Sequence, residues 1–87
     1  MPYINQEYRE SLDEVVSIML DKGVEPNGTL NYVLFKFCKE YFKHRSQESY
    51  NTLKNFIGEL NESAAEIRRR ILFPYEDKKI EENGDVL

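Results

Sequence analysis

Tryptophan is absent, and cysteine and histidine occur once each, as Cys38 and His44. A single cysteine excludes a disulfide framework within the chain and a cysteine-rich zinc site. A single histidine excludes any His–His metal motif. Long apolar runs are missing as well. Stretches such as Val33-Leu34-Phe35 and Ile71-Leu72-Phe73 are three residues long, far short of the ~20 that a spanning helix needs. The start, Met1-Pro2-Tyr3-Ile4-Asn5-Gln6-Glu7, has no basic stretch leading into an apolar one, so a signal peptide is not expected. Basic excess is lacking too: the net charge is −4, which disfavours generic binding to nucleic acid or anionic membrane. No P-loop or dinucleotide-fold glycine pattern occurs, and no strand-like alternation. A free Cys38 within an apolar pattern suits a reducing compartment, so the expected location is cytoplasmic.

What is present is a small, aromatic-rich chain. The 87 residues hold six Tyr and five Phe, enough apolar surface to argue against disorder but room for only one small domain. Tyr8, Leu12, Val15, Val16 and Met19 share one face of a helix expected over about 6–22. Asn5 is a candidate cap, and Gly23 a candidate left-handed terminator. Glu25-Pro26-Asn27-Gly28 is a turn by composition. Thr29 can then cap a second helix over about 30–44. There Leu30, Val33, Leu34, Phe37, Cys38 and Tyr41 follow the amphipathic template, which places Cys38 among buried side chains. Phe35 and Phe42 widen that apolar surface beyond one stripe, so the helix needs partners on two sides, and the second can be another subunit.

The third helix, expected over 47–72 with Ser46 as a candidate cap, is the strongest pattern. Tyr50, Leu53, Ile57, Leu60, Ala64, Ile67 and Ile71 step by three and four, a heptad seam. It suits either an intramolecular bundle or an intersubunit coiled coil. Pro74 is expected to end this helix, leaving an extended or short-helical tail over 74–87. The fold expected is therefore all-α: a three-helix antiparallel bundle with a long third helix. A homo-oligomer is expected, with a dimer as the default.

Charge is unevenly spread. Residues 1–29 hold six acids and two bases, residues 30–72 eight bases and five acids, and residues 73–87 five acids and two bases. Lys36, Lys39 and Lys43 share a helix face, which reads as a solvated stripe. Arg68, Arg69 and Arg70 close the third helix, where cations suit the helix dipole and can pair with the acidic tail. They are also an anion-site candidate. In an α-helix they would point about 100° apart, so a phosphate would need further arginines, most simply from a symmetry mate. The turn before Thr29 reads as an ordinary capped turn or as an anion cradle at a helix start. Asn31 and Tyr32 read as local structure, or as a base-edge reader and a stacking platform. His44 reads as a helix-end cation. No catalytic constellation, metal set or cofactor motif is expected, so an enzyme is disfavoured.

Three stretches carry a resemblance: Met1-Pro2-Tyr3-Ile4, Gly28-Thr29-Leu30-Asn31-Tyr32, and Pro74-Tyr75-Glu76-Asp77-Lys78-Lys79-Ile80-Glu81-Glu82-Asn83-Gly84-Asp85-Val86. They resemble a family of small uncharacterised proteins of phages and prophage-bearing bacteria. Its members begin with a similar MPYI, carry a GxLNY-like turn and end in PYEDKKIxENGDV. The resemblance spans nearly the whole chain and rests on the terminal motif, since the helical middle is generic. Arg69-Arg70 match the family's two-arginine step, set about one residue from its usual place. The resemblance implies an accessory phage protein acting in the host cytoplasm, with a tail that folds back or joins a site. It makes an anti-defence role plausible, in which a small oligomer sequesters a nucleotide immune signal or blocks a host defence protein.

The expected function is non-enzymatic binding of an anionic, nucleotide-type ligand at a subunit interface. Asn31, Tyr32, Arg69, Arg70, Tyr75 and Lys78 are the expected ligand-binding residues. The alternative is an inhibitor or adaptor that grips a host protein through the aromatic helical surface or the acidic tail.

Overall fold

The computed structural model describes residues 4–45 and 49–86. Its elements in order are α1 (Gln6–Asp21), α2 (Thr29–Lys43), α3 (Tyr50–Ile67), a π-helical turn (Arg68–Leu72) and α4 (Phe73–Asn83). The last three run on without interruption as one helix of 34 residues. The protein is all-α, with three helices of which the third is long, and no strand occurs among the described residues. The chain divides into two units, Met1–His44 and Arg45–Leu87.

In the first unit, α1 ends as its sequence dictates. Gly23 adopts φ 75°, its N–H donates to the Leu20 carbonyl, and the Val24 N–H donates to the Met19 carbonyl. This is a Schellman terminus, and the half-buried Val24 and Met19 supply the apolar pair that accompanies it. At the other end the Asn5 side chain makes no capping bond; its carbonyl accepts from the N–H groups of Tyr8 and Arg9 instead. Cys38 is half-buried rather than buried, because no described side chain of the protein is fully buried.

In the second unit, α3 runs from Tyr50; the expected start Gln47 and the expected cap Ser46 lie outside the described residues. Ser49 takes that role. Its hydroxyl accepts from the Thr52 N–H at 3.3 Å, while the Thr52 hydroxyl accepts from the Ser49 N–H at 3.0 Å. The reciprocal pair is a capping box in which Thr replaces the usual Glu.

Pro74 does not end the helix, contrary to the sequence expectation. Proline lacks an N–H, and its ring collides with the carbonyl four residues back, here that of Arg70. The backbone resolves the conflict by widening. The Phe73 N–H reaches five residues back to the Arg68 carbonyl, which forms the π turn. Pro74 is then the second residue of α4, just past the widened turn. The tail expected as extended or short-helical is thus helical to Asn83, and Gly84 at φ 82° closes it.

A candidate anion-binding face on the long helix

The six sequence-predicted ligand residues fall in two places. Asn31 and Tyr32 lie in the first turn of α2, both exposed. Arg69 and Arg70 lie in the π turn, and Tyr75 and Lys78 in the first half of α4.

The helix start before Asn31 is a filled turn rather than an open cradle. Gly28 adopts φ 111°, which turns the chain into α2. The Thr29 hydroxyl folds back to accept from the Glu25 N–H at 2.8 Å, and its proton faces both the Glu25 carbonyl and the Asn27 side-chain oxygen. The Thr29 N–H donates to Asn27 Oδ1 and the Leu30 N–H to the Glu25 carbonyl. The Thr29 and Leu30 amides are therefore engaged by the chain itself, and the Glu25 carboxylate stands at 3.3 Å from Asn27 Nδ2. Thr29 acts through this lock and is already the first residue of α2; it is not the simple cap that its sequence suggests.

The lysine stripe on α2 is partly neutralised. Lys36 pairs with Glu40 at 3.4 Å, and Lys39 lies over the Phe35 ring at 6.0 Å. His44, the residue that follows α2, has its Nε2 3.6 Å from the same Glu40.

The arginine triplet is arranged differently from the α-helical expectation. A π turn holds more residues per turn than an α turn, so its successive side chains diverge by less than 100°. Arg68, Arg69 and Arg70 consequently fan over a narrower arc of one exposed surface. Glu66, one turn before, organises two of them. Arg69 Nη2 donates to both Glu66 carboxylate oxygens at 3.0 Å, and Arg70 Nη1 lies 3.8 Å from Oε2. The Arg69 hydrogen bonds hold the Glu66 carboxyl below the usual carboxylate range, with the charges of Arg69 and Arg70 adding to that effect. Arg68 has no carboxylate partner among the described residues. One carboxylate against three guanidiniums leaves a local excess of positive charge.

Beyond the π turn, Lys79 rather than Lys78 lies over the Tyr75 ring, at 5.6 Å, and also meets Glu82 at 3.3 Å. Sequence reasoning missed Lys79 and Glu66. The i, i+4 spacing of Tyr75 to Lys79 was the available signal for the first, and the i, i+3 spacing of Glu66 to Arg69 for the second. Among the described residues no group of three or more His, Cys, Asp or Glu side chains is placed to hold a metal ion. No helix formed by the described residues is long and apolar enough to cross a membrane.

Fold and site together define a small all-α protein with an arginine-bearing π turn on its long helix. The chain belongs to the family described as a domain of unknown function (DUF6899), whose model matches residues 1–86. Comparisons with curated proteins and with solved structures gave no match.

Proposed function

We propose that this is a non-enzymatic, homo-oligomeric phage accessory protein that binds an anionic, nucleotide-type ligand at a subunit interface. The observation that carries this reading is the narrowed arginine fan of the π turn, with one carboxylate for three guanidiniums. Guanidinium forks suit phosphate oxygens, and Glu66 pre-orients two of them. Tyr75, 59% exposed, offers a ring on which a base can stack, and Lys79 adds a cation beside it. Asn31 and Tyr32, exposed in the first turn of α2, carry matching chemistry of their own, an amide that can read a base edge and a ring on which a base can stack. The family resemblance supports the phage setting, the cytoplasm of the host, and a role against nucleotide-signalled defence.

Titration calorimetry with cyclic and linear dinucleotides tests the reading. The expected result is micromolar binding that weakens at least tenfold, about 1.4 kcal/mol, in Arg69→Ala and Arg70→Ala. Absence of heat with every nucleotide up to high micromolar concentration would sink it.

A second reading, capture of a host protein, draws on a different observation. Tyr32 and Phe35, one turn apart on α2, are each 65% exposed, an aromatic pair of the kind that protein partners cover. Capture unaffected by Phe35→Ser would count against this version.

A further inference from the structure

We infer that Asn27-Gly28 is a site of spontaneous modification, where Asn27 loses its side-chain amide through a cyclic imide and so unlocks the start of α2. The chain carries the Asn-Gly pair twice, at Asn27-Gly28 and at Asn83-Gly84. Glycine after asparagine leaves the following nitrogen open to the asparagine side chain, because no Cβ crowds it. All four residues are exposed, so access to water does not separate the two sites. Backbone hydrogen bonding does.

At the second pair the Gly84 N–H donates to the Ile80 carbonyl at 2.8 Å, the closing bond of α4. A nitrogen held in a helix ladder points along the axis at that carbonyl, and its proton is committed. Attack from there requires the helix end to open first. At the first pair the chain is a turn, and the Gly28 N–H makes no hydrogen bond among the described residues. The Asn27 side chain folds forward over this peptide. Its Oδ1 accepts from the Thr29 N–H at 3.3 Å and lies 3.0 Å from the Thr29 hydroxyl. A side chain bonded two residues ahead passes alongside the intervening Gly28 nitrogen. Both Thr29 donors also face the oxygen on which negative charge collects when the amide carbon is attacked.

The reaction consumes only water. Base takes the Gly28 N–H proton, and the nitrogen bonds to Asn27 Cγ. The Cγ–Nδ2 bond breaks, and the amide nitrogen leaves as ammonia after taking a proton from water. The imide ring then adds water at either of its two carbonyls, and opening leaves an aspartate or an isoaspartate at position 27. Nδ2, which donates to Glu25 Oε2 at 3.3 Å, is thereby replaced by a carboxylate oxygen. Two negative charges then meet where one hydrogen bond stood. Isoaspartate also adds a methylene to the main chain, immediately before Gly28 at φ 111°. Without the Thr29 lock, α2 should fray from its first turn.

Peptide mass spectrometry on the unaltered full chain, aged in warm buffer at neutral and at mildly alkaline pH, tests this. Electron-transfer fragmentation separates aspartate from isoaspartate. In the folded protein, position 27 should convert at least about tenfold faster than position 83, whose helix end must open first. It should give both products and react faster at the higher pH. In urea, where neither backbone is held, the two rates should converge. Equal rates in the folded chain, faster conversion at position 83, aspartate without isoaspartate, or rates that stay apart in urea would each overturn the inference. Hydrogen exchange reads the unlocking: amides 29–33 should exchange faster in aged protein and in Asn27→Asp than in fresh protein. Unchanged exchange in both would overturn that part.

Discussion

Glu66 is the residue whose chemistry the structure describes most fully. Its carboxyl is held below the usual range, first by the Arg69 hydrogen bonds and then by the nearby positive charges. A carboxyl with a depressed folded-state pKa contributes stability that is present above its unfolded pKa. That contribution is lost as pH falls through the folded value. The Glu66 carboxyl carbon should therefore titrate below an ordinary glutamate in an NMR pH series, and Glu66→Gln should remove the acid-range loss of helix around the π turn. A midpoint at or above the ordinary value would contradict the pairing. Gly28 gives a second prediction at this scale. Nothing lies within 4 Å of a Cβ built there, so a clash is not at issue, but φ 111° is strained for any L side chain. Gly28→Ala should cost about 1–2 kcal/mol by chemical denaturation. A neutral result would mean that the turn relaxes without penalty.

At the scale of elements, the π turn is the feature that ties sequence to site. Replacing Pro74 with Ala restores an N–H for the Arg70 carbonyl and removes the ring that forced the widening. The turn should revert to α, raising helix stability by up to about 3 kcal/mol in a circular-dichroism melt. The same change should spread the arginines back to α spacing and weaken nucleotide binding, so stability and affinity should move in opposite directions. A lower melting temperature would refute the account of the turn. The helices themselves were legible because their signals are local. The Gly23 terminator, the Leu30–Tyr41 stripe and the heptad seam each act within a few residues. The fate of Pro74 was not legible. Whether a proline stops a helix or widens it depends on what the following segment gains by staying helical, and Tyr75–Lys79 and Lys79–Glu82 contribute to that gain. The site was legible in residue type more than in detail: the arginines and Tyr75 were readable, whereas Glu66 as their organiser and Lys79 as the ring's cation needed a known helical phase.

For the whole molecule, the governing fact is that no described side chain is fully buried. Native proteins are stable by only ~5–15 kcal/mol, and apolar burial is the main favourable contribution. A chain whose seam is covered by a partner gains that burial on association, so its melting temperature should rise with protein concentration. Melts over a roughly hundredfold range of concentration check this, and a constant midpoint would place the stabilising contacts within one chain. The π turn has a further consequence at this scale. It stores one surplus residue inside an otherwise regular rod, so the rod can be shortened by one residue there without either flank turning out of phase. A variant with Pro74 replaced and one residue removed between the arginine pair and Tyr75 would run straight through as α-helix, still presenting the same two ends to whatever they meet. The joint makes chain length a tolerated variable at the very point where the arginines lie.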